Sequence, residues 1–108
     1  MTQNSYKEKK PCAIDLVKKV LSGKWKMRIL WALSIETRRY NELIKLFPGI
    51  TQTMLTRQLR DLEKDGFVSR QVYPEVPPKV EYSLTPMGHG FIPIINQINE
   101  WGEENLMI

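Results

Sequence analysis

One cysteine and one histidine are all that this 108-residue chain offers as soft metal ligands. A zinc site built by the protein wants about four Cys or His side chains, and an internal disulfide wants two cysteines, so both are excluded and no metal is expected. The chain also lacks a Gly-rich phosphate cradle and any nucleophile–base constellation; no enzyme is expected, and no cofactor is implied. No apolar run approaches the ~18 residues that cross a membrane, and no charged-then-apolar leader opens the chain. We therefore expect a cytoplasmic protein without a membrane partner.

What remains is an ordinary globular composition, 42% hydrophobic and 26% charged, enough for one domain with one modest core. The net charge is +4, unevenly spread. From Thr85 onward there are three acidic residues (Glu100, Glu103, Glu104) and no Lys or Arg, whereas residues 1–84 carry a balance of +7. A basic body with an acidic closing segment suits a nucleic-acid partner, although mild basicity alone is a weak signal.

The most informative stretch is Ile50 to Gly66. Met54, Leu55, Leu59 and Leu62 fall three to five residues apart, on one side of a helix, with Gln52, Thr53, Thr56, Arg57 and Arg60 mostly on the other. Thr51 is placed to cap the first amides, with Ile50 before it stapling onto Leu55. Gly66 suits the left-handed residue past the end, with Phe67 folding back on Leu62. Upstream, Asn41–Phe47 reads as a short helix and Pro48-Gly49-Ile50 as a tight turn. Two helices so joined make a helix-turn-helix, whose second member enters a DNA major groove. Gln and Arg suit base edges, and Thr suits phosphates or a thymine methyl. A solvated polar face explains the same pattern when taken alone.

The flanking segments decide between those readings. Residues 1–10 are polar and lysine-rich, an expected disordered tail. A first helix follows Pro11, with Ile14, Val17 and Leu21 on one face, ending near Ser22-Gly23. A second, Lys24 to Leu33, carries Trp25, Ile29 and Leu33 on one stripe; Leu30 and Trp31 widen it, and both tryptophans read as core. Lys24, Lys26 and Arg28 read as a solvated face within reach of phosphates. Thr37–Tyr40 suits a short edge strand. Beyond the helix-turn-helix, Val68 and Val72 alternate with Ser69 and Gln71, and Val80, Tyr82 and Leu84 alternate again, around a loop stiffened by Pro74, Pro77 and Pro78. A hairpin straight after the second helix is a wing, with Arg70 and Lys79 in reach of the DNA backbone or minor groove.

Thr85-Pro86 is a cap with proline at the first helical position. The helix or helix pair beyond it, with Pro93 expected to kink or restart it, carries Phe91, Ile94 (or Ile95), Ile98 and Trp101 on one stripe. That stripe has two readings, a dimer interface or packing along its own domain. His89 reads as a surface or partly buried residue.

With these elements in place, the chain resembles the HxlR-type winged-helix transcriptional regulators, relatives of the MarR-like repressors. The resemblance is carried by Ser22-Gly23-Lys24-Trp25-Lys26, Leu46-Phe47-Pro48-Gly49-Ile50-Thr51, Met54-Leu55-Thr56, Gln58-Leu59-Arg60, Leu62-Glu63, the wing from Val72 to Pro86, and Glu100-Trp101-Gly102. It spans Cys12 to Glu104 with its internal spacing kept. It implies homodimers on palindromic operators, the helix from Thr51 in the major groove and the wing on the flanking groove or backbone. It also implies terminal helices at the dimer contact, which here brings Ile14 and Val17 together with Ile94, Ile98 and Trp101. Family members usually carry a cysteine twelve residues before the lysine of the Gly-Lys-Trp motif, and Cys12 holds that position relative to Lys24. In several members this thiol senses electrophiles, quinones or oxidants. Two positions depart from the pattern: Ala13 stands where proline commonly follows that cysteine, and Glu36-Thr37 where Gly-Pro is usual.

The expected fold is α+β and mostly helical: a winged helix-turn-helix over residues 11–108 with a small antiparallel hairpin and dimerisation helices at both ends. The expected DNA contacts are Thr51, Gln52, Thr53, Thr56, Arg57, Arg60, Arg70 and Lys79. Cys12 has two readings, a thiol activated at a helix start beside Lys9 and Lys10, or an inert apolar filler. The expected partners are double-stranded DNA, a second copy of the chain, and a small electrophile or oxidant at Cys12. The alternative function is a winged-helix module for protein–protein contact without sequence-specific DNA binding.

Overall fold

In the computed structural model, which describes Cys12–Met107, the order is α1 (Ala13–Leu21), α2 (Lys26–Ile35), β1 (Arg38–Arg39), α3 (Tyr40–Leu46), α4 (Gln52–Lys64), β2 (Val68–Tyr73), β3 (Lys79–Leu84) and α5 (Pro86–Asn105). The expected tail at residues 1–10 lies outside the described residues.

The core forms around α2, whose apolar residues point in several directions because other elements surround it. Trp25, Ile29, Leu30, Ala32 and Leu33 are buried with Leu43 of α3, Leu55, Leu59 and Leu62 of α4, Val68 and Leu84 of the sheet, and Ile95 of α5. Two expectations for this region need correcting. Trp31 is 50% exposed, so only one of the two tryptophans is core. Lys26, expected in solvent, is buried at 4% exposure, because its ammonium finds the Val20 carbonyl as acceptor and the half-exposed Asp61 carboxylate as counter-charge. Lys24 and Arg28 do stay exposed, each stacked over the Trp25 ring at 5.0 and 4.9 Å from its centroid.

Both ends of α4 follow from local chemistry. Pro48 and Gly49 (φ +91°) make the turn, closed by Ile50 N–H donating to the Phe47 carbonyl at 3.1 Å. The Thr51 hydroxyl accepts from Met54 N–H at 3.1 Å, and Ile50 and Leu55 are both buried in the core. At the other end Gly66 takes φ +90°, Phe67 N–H donates to the Leu62 carbonyl at 2.9 Å, and Gly66 N–H to that of Glu63 at 3.1 Å. These paired bonds are a Schellman closure. Met54 departs from its expected place on the inner stripe: it is partly exposed, because the centre of the buried face falls on its neighbour Leu55.

The sheet has the order β1-β3-β2, all antiparallel. The expected hairpin is present, with Val68 opposite Leu84 and Tyr73 opposite Lys79, and β1 adds a third strand through Arg38–Tyr82 and Arg39–Glu81. Val68 and Leu84 at the hairpin base reach the core. Val72, expected to share the inward face with Val68, is exposed because the outer half of the hairpin has no helix beneath it.

α5 starts where expected. The Thr85 hydroxyl accepts from Gly88 N–H at 3.1 Å, with Pro86 at the first position. Pro93 does not restart it as a second helix; one helix runs from Pro86 to Asn105. The His89 carbonyl, four residues before Pro93, loses its helical partner on an exposed face where water can replace it. The apolar stripe divides between the two readings. Ile95 is buried, and Phe91 and Ile92 pack against the core, while Ile94, Ile98 and Trp101 remain on the outside. No helix of the described residues is long and apolar enough to cross a membrane.

Candidate nucleic-acid interface

The outward face of α4 forms one wall of a polar concavity of about 510 Å³, lined by Tyr40, Gln52, Thr53, Thr56, Arg57, Arg60 and Asp61. Five of the six α4-segment residues expected to meet DNA therefore share one continuous surface. Thr51 is beside it, its hydroxyl engaged in capping. Tyr40 was not anticipated. As the first residue of α3, its phenol donates to the Gln52 carbonyl at 3.0 Å and meets the Thr56 hydroxyl at 3.0 Å. With the phenolic hydrogen on Gln52, Thr56 is the donor to Tyr40 and keeps its lone pairs for an outside donor. Tyr40 thus fixes the start of α4 against the first helix of the motif. No local pattern reveals this, since the partners stand 12 and 16 residues away.

A second cleft of about 280 Å³ joins α4 to the wing, lined by Thr56, Leu59, Arg60, Glu63, Arg70 and Tyr82. Arg60 lines both concavities, so the helix and the hairpin present one surface. Arg70 Nε is 3.5 Å from Glu63 Oε2, with both side chains partly solvated. Such a pair contributes little to stability but holds the guanidinium near α4. Burial pushes the Tyr82 phenol above its ordinary pKa, against the opposing pull of the Arg70 guanidinium. It is therefore a neutral hydroxyl near pH 7. Lys79 lies apart from both clefts, 3.6 Å from Glu81 Oε2 and 4.7 Å from the centroid of Tyr73. The acidic neighbours Asp61, Glu63 and Glu81 were missed because an isolated Asp or Glu carries no signal until its cation is located in space.

Cys12 stands at the N-cap position of α1, partly buried, with its carbonyl accepting from Leu16 N–H at 3.1 Å. Lys9 and Lys10 lie outside the described residues. α1 buries none of its side chains: Ile14 is 70% exposed and Val17 nearly half exposed. On α5, Ile98 and Trp101 are 49% and 59% exposed. Ile98 also borders an apolar groove of about 450 Å³ whose walls include Met27, Trp31, Leu46 and Ile95. Apolar side chains thus stand exposed on α1 and along α5, outside the polar face of α4.

Known proteins share this arrangement. A family model described as HxlR-like helix-turn-helix matches residues 20–108. The uncharacterised HTH-type transcriptional regulator YybR of Bacillus subtilis (strain 168) is 48% identical over 103 residues, covering 95% of this chain and 82% of that one. Among solved structures, the redox regulator HypR in its reduced form superposes with a TM-score of 0.84 at 48% identity, covering 87% of this chain and 93% of that one. The reduced form of the transcriptional regulator YodB from B. subtilis gives 0.78 at 30% identity, covering 90% and 96%. With the helix-turn-helix, the wing and the polar face of α4 already in place, the chain belongs to the HxlR-like helix-turn-helix family of DNA-binding transcriptional regulators.

Proposed function

We propose that the protein works as a homodimer that reads a palindromic operator, with Gln52, Thr53, Thr56 and Arg57 meeting base edges. In this reading Thr51 and Arg60 hold phosphates, and Arg70 and Lys79 hold the flanking backbone or groove. The observation that carries it is the single polar concavity in which five expected contact residues of α4 converge, with Arg60 continuing it to the wing. Two-fold symmetry would set two copies of α4 about 34 Å apart, one turn of DNA, or a multiple of it.

Arg57 gives the sharpest test. If it grips a guanine, Arg57→Ala costs about 1–3 kcal/mol on the preferred site and relaxes preference at one base pair. If it holds a phosphate, all sequences weaken alike and the salt slope shrinks by about one unit. Titrations of both proteins on the preferred and on single-substituted duplexes separate these results, and unchanged binding on every duplex removes Arg57 from the contact set.

The finer reading adds a chemical input at Cys12. HypR is a redox regulator solved in oxidised and reduced forms, and YodB has been solved after diamide treatment. The place of Cys12, at the head of a helix with an exposed apolar face, supports the same role here. With one cysteine per chain, oxidation joins Cys12 of two subunits, or Cys12 and a small thiol. Diamide takes up the two electrons and two protons that the two thiols release. We expect diamide or a quinone to modify wild-type protein and weaken operator binding, and Cys12→Ser to bind without responding. A mass increase at Cys12 with affinity unchanged would show that the thiol is not a switch.

A further inference from the structure

The buried lysine is unused by anything described so far. Lys26 Nζ donates to the Val20 carbonyl, near the end of α1, at 3.2 Å and lies 3.5 Å from Asp61 Oδ2 on α4. Three residues earlier, Gly23 (φ +117°) approaches α4 so closely that a Cβ there would stand 2.6 Å from Gln58 Oε1. Gln58 and Asp61 are neighbours at i and i+3 on α4. Gly23 in the connection and Lys26 at the start of α2 therefore each meet a side chain of α4, about one turn apart, and Lys26 also grips the end of α1.

The apolar contacts of Leu55, Leu59 and Leu62 fix how deeply α4 sits but have no direction, whereas the Lys26 ammonium is held in one place by its hydrogen bond to the Val20 carbonyl and faces the Asp61 carboxylate there. The ammonium is buried but the Asp61 side chain is 45% exposed, so solvent screens the pair, it adds little net stability, and its consequence lies in geometry. Asp61, moreover, borders the same concavity as Arg57 and Arg60. Held against Lys26, its charge is offset where it would otherwise repel phosphate.

We propose that Lys26 is a positioning residue for DNA reading: its ammonium joins α1 to Asp61 and sets the angle at which α4 presents its base-reading side chains. The role rests on the DNA-binding reading above. It also provides a mechanical path from the terminal helix α1 to α4 without passing through the apolar core.

The test is the charge-balanced pair Lys26→Met with Asp61→Asn. It keeps side-chain volume and net charge, so affinity that depends on charge alone should not change. Binding is measured on a duplex selected from a randomised pool and on a scrambled duplex of the same length and composition, with folding followed by circular dichroism. The double variant should bind the scrambled duplex within about twofold of wild type and the selected duplex about tenfold more weakly, the scale of one mismatched base pair. A preference equal to wild type, or equal losses on both duplexes, overturns the positioning role. Should the double variant not fold, Asp61→Asn alone, at a half-exposed position, serves through the ratio of the two affinities. That ratio should fall at least threefold, and an unchanged ratio overturns the role. A wild type without preference overturns the DNA reading and this role together, whereas a discriminating wild type matched by its variant overturns this role alone.

Discussion

Gly88→Ala should destabilise the protein by about 3 kcal/mol and lower its unfolding midpoint by roughly 10–20 °C. A Cβ at this position would stand 2.2 Å from the Phe67 carbonyl oxygen and 3.3 Å from a Leu84 methyl. The carbonyl cannot easily yield, because it accepts from Thr85 N–H at 3.0 Å, and the Thr85 hydroxyl donates to the Gly66 carbonyl at 2.5 Å. Together these bonds lock the start of α5 onto the closing turn of α4, and only a residue without a side chain fits between. Gly90, two residues later in the same helix, has nothing within 4 Å of its would-be Cβ. Gly90→Ala should therefore be neutral or stabilising by up to about 1 kcal/mol, since alanine favours helix. Thermal or denaturant unfolding of the two variants side by side checks the account. Equal stabilities would mean that α5 does not approach Phe67 as described.

Ile98→Asp should leave the fold intact, convert the protein to monomers, and weaken operator binding by about 100-fold or more, because two linked half-site contacts become one. The position is half exposed, so a carboxylate there stays solvated in the monomer. In a dimer joined through Ile94, Ile98 and Trp101 with Ile14 and Val17, the same carboxylate would be buried against apolar surface and resisted strongly. Sedimentation measures the change in mass, and titration on the selected duplex measures the loss. An unaltered dimer would place the contact elsewhere, and a wild type that is monomeric at micromolar concentration would overturn the dimer itself.

Much of the α4 region was legible because its signals are local. Thr51 three residues before the amide it caps, Gly66 at the left-handed position, and Pro86 behind Thr85 each need only their neighbours to act. Periodicity shows which side chains share a face, but not how far the neighbouring elements cover that face. Hence Met54, Trp31 and Val72 emerged into solvent while sitting in correctly read patterns. Partners distant in sequence were the least legible. Lys26 reads as a surface residue until Asp61, 35 positions on, is known to lie beside it. Tyr40 reads as the end of a strand until its phenol is found on Gln52 and Thr56. Pro93 signalled a kink or a restart, and α5 runs on through it as one helix with the proline on its exposed side.

The central claim is that the face of α4 reads DNA sequence, and the most direct measurement is wild-type affinity for a selected palindromic duplex and its scrambled counterpart across a range of salt concentrations. The account predicts that both affinities fall as salt rises, because phosphate contacts release counterions, while the selected duplex stays at least about a thousandfold tighter at physiological salt. Equal affinities for the two duplexes, or no salt-dependent binding to either, would contradict it and leave the winged helix as a surface for protein contacts.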